Sequence, residues 1–217
     1  MSGSLALLGC TVSGILYNQG RKWSLYIPIL YFTFMEILQY FSYFALEKNN
    51  KKLLKILTII TFIHIVFQPL FVNLWYSNYI PHNKQSQSLI VLQLCIVAGV
   101  LYLPRLDMIS SFKNNLSCNV LAEEMCGATT LIQQGKTHMQ YLFKMKAPSY
   151  LTPSSFIHFF LMFIPALFLN VEMIPYLCTF IGWIMSYFLS NKKEMAAVWC
   201  TFSVPSMLIS LFYVPMK

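Results

Sequence analysis

Leu25–Leu46, LYIPILYFTFMEILQYFSYFAL, carries a single charged side chain, Glu36, and decides the fold class. At 1.5 Å rise per residue, roughly 20 apolar residues cross the roughly 30 Å of hydrocarbon in a bilayer. A second run of the same length follows at once, Leu53–Leu74, LLKILTIITFIHIVFQPLFVNL, with Lys55 near its start and His64 in its middle. Two such runs joined by a short polar turn predict an antiparallel pair of membrane-spanning helices.

Outward from this pair the pattern repeats. Val171–Ser190 and Met195–Val214 flank the charged turn Asn191-Lys192-Lys193-Glu194, and three shorter apolar runs lie at Leu5–Tyr17, Ser88–Pro104 and Ser155–Leu169. Short runs still span if the bilayer thins or the helix lengthens into its flanks. The reading is an all-α polytopic transmembrane helix bundle of about seven spans, with helices at 5–17, 25–46, 53–74, 88–104, 155–169, 172–190 and 195–214. Six spans is the alternative, with Leu5–Tyr17 lying at the interface. No Lys or Arg precedes the first run, which therefore does not read as a signal peptide.

Composition agrees. Of 217 residues 57% are hydrophobic and 10% charged, with mean hydropathy +0.60, whereas a soluble domain carries about 25% charged residues to cover its core. The net charge of +8 comes from lysines gathered between apolar runs, which suits loops beside anionic headgroups and argues against a nucleic-acid groove. Residues 1–217 form a single integral membrane domain, interrupted by one long polar loop at about 105–154. A loop of that length is uncommon without structure of its own, so it is expected to hold at least one helical turn. The positive-inside rule favours a cytosolic N-terminus, while the sequon Asn115-Leu116-Ser117 in the long loop would have meaning only in a secretory lumen.

Proline recurs within or beside the spans at Pro28, Pro69, Pro104, Pro165, Pro175 and Pro205. Membrane bundles accommodate such kinks through neighbouring groups, so packing geometry is the plainer reading and gating hinges the alternative.

The residues that could carry chemistry centre on Glu36 and His64. Counted from the turn between their spans, the two lie at matching depth. Each also belongs to a polar stripe at helical spacing: Glu36, Gln39, Tyr40 and Tyr43 on one helix, Thr58, Thr61, His64 and Gln68 on the other. Ionisable groups at that depth are costly and turn toward a partner or a wet cavity. Glu36 and His64 are thus expected to be hydrogen-bonded directly or through one water. The alternatives are a structural bond holding two helices together, a proton or solute pathway, and a catalytic site.

Other candidates are looser. His138 lies in the long loop, His82 in another, and His158 a few residues into its span. No histidine pair has metal-ligand spacing, so no metal and no cofactor is expected. Cys118 and Cys126 fit no zinc pattern and read as a disulfide or two unrelated thiols; Cys10, Cys95, Cys178 and Cys200 read as small core residues. Gly135-Lys136-Thr137 is not a phosphate loop, since Thr130 stands where the first glycine is needed. The last span lacks both the lysine of a retinal protein and the paired histidines of seven-helix membrane hydrolases.

Met35-Glu36 with Gln39-Tyr40, then His64 with Phe67-Gln68-Pro69 and Asn73, then Cys126-Gly127 ahead of His138, resemble the sparse pattern of an uncharacterised family of multi-pass membrane proteins from protists, algae and large DNA viruses. The resemblance covers about residues 25–140 and implies an architecture and candidate residues, not an activity. Three function classes follow: movement of a small solute or protons through a polar core centred on Glu36 and His64, an intramembrane lipid-modifying enzyme with His138 or His158 supplied from the loop side, and a non-catalytic membrane scaffold whose loop binds a partner. Expected partners are membrane lipids and an unknown small solute or lipid substrate.

Overall fold

The computed structural model describes residues 2–107, 130–136, 138–146, 148–191 and 193–213. It is 74% helical. Nine α-helical segments follow one another among the described residues: α1 Ser2–Asn18, α2 Trp23–Glu47, α3 Lys51–Val66, α4 Gln68–Tyr76, α5 Gln85–Tyr102, α6 Ser155–Phe168, α7 Met173–Leu189, α8 Met195–Met207 and α9 Ile209–Phe212. Each expected apolar run is helical over most of its described residues.

Among the described residues three stretches are long and apolar enough to cross a membrane: Trp23–Glu47, His82–Arg105 and Met195–Phe212. The pair α3 and α4 is a fourth if taken as one span bent by 41°. α6 and α7 are shorter apolar helices of 14 and 17 residues.

The bend explains why Leu53–Leu74 reads as one span yet forms two helices. Pro69 has no N–H and its ring crowds the preceding turn, so the ladder breaks at Phe67. The Phe67 ring then lies over Gly99 of α5, where a Cβ would sit 2.7 Å from it.

Three short connections use one device. Gly20, Asn49 and Asn170 have φ of 65°, 50° and 52°, the left-handed conformation that ends a helix and reverses the chain. Behind them Arg21 N–H donates to Leu16 O at 3.0 Å, Asn50 N–H to Ala45 O at 2.8 Å and Val171 N–H to Ala166 O at 3.0 Å. Asn50 also caps α3, its Oδ1 accepting from Leu53 N–H at 3.0 Å. The turns fold α1 on α2, α2 on α3 and α6 toward α7. At the center stands α2, packed on α1, α3, α4 and α8.

The long loop carries structure of its own. Among its described residues it holds a β-hairpin, β1 Leu131–Gln134 and β2 Met139–Leu142, with Leu131 opposite Leu142 and Gln134 opposite Met139; the rest of the loop, 108–129, lies outside the described residues. The pairing is taken up again by a bridge between Leu106 and Met145. Period-two alternation turns Met139, Tyr141, Phe143 and Met145 to one face, and all four are buried with Ile132 against α2, α3 and α8. Arg105, 2% exposed, gathers the loop's base: it donates to Lys146 O and Pro153 O, each at 3.1 Å, and lies 5.0 Å over the Tyr102 ring. Asn115, Cys118 and Cys126 lie outside the described residues. Of the other cysteines Cys95 and Cys200 are buried as expected, while Cys10 is exposed and Cys178 half-buried.

Candidate functional site

Buried positions on α2 run Leu25, Ile29, Phe32, Met35, Glu36, Gln39 and Ser42. This stripe aims Glu36 and Gln39 inward, both fully buried. Tyr40, expected in the same stripe, falls one residue outside it: the ring is 57% exposed and packs edge-on against Phe41. It is not part of the polar core.

Glu36 and His64 are not hydrogen-bonded to each other. His64 is level with Tyr31, donating from Nε2 to the Tyr31 carbonyl at 2.7 Å and stacking on the Tyr31 ring at 4.1 Å. The Tyr31 hydroxyl donates back to the His64 carbonyl. Tyr31 and Glu36 are five residues apart, about 7.5 Å along the helix and about 140° around it. The two candidates therefore meet different surroundings. Matching depth misleads because it fixes neither the register of two helices nor their faces.

The partners of Glu36 come from further along the chain. Its Oε1 accepts from Gln39 Nε2 at 3.3 Å and from the Thr201 hydroxyl at 3.0 Å, and Ser2 lies beside the same carboxylate. Thr201 Oγ1 is also 3.2 Å from His138 Nε2 and 3.1 Å from Ala197 O. His138, at the turn of the hairpin, is half-buried. Loss of water there lowers its imidazole below the ordinary value, opposed by the charge of Glu194. A carboxylate, a hydroxyl and an imidazole, carried by α2, α8 and the hairpin, thus stand in line.

A hydroxyl can donate in one direction and accept from the other. With Glu36 ionised, Thr201 donates to it while His138 Nε2–H donates to Thr201. With Glu36 protonated, both bonds reverse. Where His138 carries a proton on both ring nitrogens, passing the Nε2 proton to Thr201 Oγ1 as Thr201 releases its own to Glu36 converts one arrangement into the other and leaves a neutral imidazole protonated at Nδ1. Glu36 Oε2, Gln39 Oε1 and His138 Nδ1 in this cluster, and Thr61 Oγ1 and His64 Nδ1 on α3, are buried without a protein partner.

The remaining candidates disperse. Gln68 donates to Cys200 Sγ at 3.1 Å, and Asn73 to Pro69 O and Leu161 O at 2.8 and 2.7 Å. These contacts hold the bend against α8 and α6. His158 lies in a narrow cleft between α5 and α6, 6.0 Å from the Tyr102 ring centre to centre. Among the described residues no group of three or more His, Cys, Asp or Glu could hold a metal ion. Thr201 carries no sequence signal, since threonine in an apolar helix ordinarily bonds the carbonyl one turn back.

A family model described as a family of unknown function (DUF5765) matches residues 1–215. Comparison with curated proteins and with solved structures returned no match.

Proposed function

The chain belongs to this family of unknown function, DUF5765, and from that premise we propose that it is a seven-span integral membrane protein, with its N-terminus in the cytosol, that moves protons or a small solute coupled to them. The spans are α1, α2, the bent pair α3–α4, α5, α6, α7 and α8–α9. The protonatable centre is Glu36 with Thr201 and His138, while His64 stiffens α2 against α3. One observation carries the reading: the Thr201 hydroxyl lies 3.0 Å from the carboxylate and 3.2 Å from the imidazole. Carboxyl and imidazole groups joined within a membrane interior are typical of proton relays.

The test is an acid jump outside vesicles that contain the reconstituted protein and a trapped pH-sensitive dye. Wild type is expected to acidify the lumen, and Glu36→Gln, which keeps shape and loses the titrating proton, to fall to the rate of empty vesicles. Equal rates for the two proteins would sink the proposal. Lipid-modifying catalysis is the second reading, because a hydroxyl 3.2 Å from an imidazole is also the arrangement of a base-activated nucleophile. Trapping a covalent acyl group on Thr201 would favour it.

A further inference from the structure

We propose that Glu194 is the positioning residue of this site, fastening the hairpin turn to α8 so that His138 reaches Thr201; the inference rests on the reading that these residues form the functional centre. Glu194 is fully buried. Its Oε1 accepts from Lys136 N–H at 3.0 Å, Asn191 Nδ2 at 3.1 Å and Gln140 Nε2 at 3.3 Å, and its Oε2 from His138 N–H at 2.9 Å. Charge-assisted bonds of this kind are about twice as strong as neutral ones. Three of the donors belong to the hairpin and one to the turn before α8, so the carboxylate is a junction between them.

The sequence makes room for that junction. A Cβ on Gly135 would lie 2.4 Å from Glu194 Cδ and 2.4 Å from His138 O, so only glycine lets the turn close over the carboxylate. Gly135 N–H donates to His138 O at 2.8 Å, and Tyr141 N–H to Lys193 O at 3.1 Å, adding a second backbone tie. Glu194 and Thr201 are seven residues apart, which on an α-helix is two turns along one face, about 10.5 Å. His138 bridges that interval. Its main-chain N–H is held by Glu194 at one end, and its ring nitrogen meets Thr201 at the other. Glu194 holds the main chain of His138 and thereby sets the position of the imidazole.

The experiment uses the full chain in lipid bilayers with histidine side chains labelled with ¹⁵N, read by solid-state NMR. His138→Gln assigns the His138 signals, and Thr201→Val defines their position once the ring bond is lost. Glu194→Gln replaces two acceptors by one acceptor and a donor that opposes the turn, and Gly135→Ala displaces the turn with Glu194 intact. Both are expected to move the His138 Nε2 signal to the Thr201→Val position while the His64 signal stays fixed, and Glu194→Asp to restore part of the wild-type signal. Retention of the wild-type His138 signal in either variant, with His64 unchanged, overturns the proposal. Proton uptake read on the same samples separates the two ideas: a moved His138 signal supports the positioning role even where the wild type carries no flux, a result that removes only the proposed function.

Discussion

Glu36 and Thr201, 165 positions apart in the chain, share a hydrogen bond of 3.0 Å that ties the middle of α2 to the second turn of α8. Removing the hydroxyl with Thr201→Val keeps the shape and strips both Glu36 and His138 of their common partner. Proton uptake into vesicles is expected to fall at least about tenfold. Leaving buried polar groups unpaired costs about 1–3 kcal/mol, readable as a lower melting temperature in detergent. Thr201→Ser is expected to recover most of both, and recovery by Thr201→Ala as well would show that the hydroxyl is dispensable.

His64 is bonded to Tyr31 of α2 and has no part in the proposed relay. His64→Phe keeps the stack on Tyr31 and loses the bond to the Tyr31 carbonyl, so stability is expected to fall by about 1 kcal/mol while uptake per folded molecule is unchanged. Thermal unfolding and vesicle flux measured together check this. A flux loss matching that of Glu36→Gln would return His64 to the site.

His138 gives the site a pH dependence of known sign. Burial lowers its imidazole value, so as pH falls through the ordinary value of about 6.5 the unfolded chain takes up the proton first and stability declines. Melting temperature should drop between about pH 7.5 and about pH 5.5, and His138→Gln should reduce that drop. A slope unchanged by the substitution contradicts the assignment.

At the contact of α1 with α2, a Cβ on Gly9 would lie 1.8 Å from Thr33 Oγ1. Small residues at such crossings allow helices in lipid to approach closely. Gly9→Ala is expected to cost about 1–3 kcal/mol by overpacking, and less in the presence of Thr33→Ala, which removes the obstacle. Additive costs in the double-mutant cycle would mean that the two positions do not meet.

The sequence is informative where one local pattern dominates. Leu25–Leu46 lies inside a helix that extends to Trp23 and Glu47, because a long apolar run admits little else. Phe67 breaks the next run because Pro69 removes a donor, a local fact whose outcome depends on what packs around it. The hairpin was also legible: Met139, Tyr141, Phe143 and Met145 alternate after the turn at Gly135-Lys136, a signal hidden by the loop's overall polarity. Glu36 could be singled out as an ionisable group within an apolar run, and His138 only as a looser candidate in the polar loop. Thr201 and Glu194 could not, since a threonine in a helix and a glutamate in a charged turn are ordinary alone. Their roles arise from contacts across 165 and 56 positions, set by tertiary packing.

The tie between His138 and Glu194 also orders the protein's assembly in time. Translation delivers the hairpin turn 56 residues before the carboxylate that holds it, when α1 to α5 are already made. Until Glu194 emerges, the buried face of the hairpin has α2 and α3 to settle on but lacks the carboxylate that holds its tip. Arrival of Glu194 at the start of α8 is therefore the step expected to lock the hairpin, and nascent chains stalled before Glu194 should carry it in a protease-sensitive form.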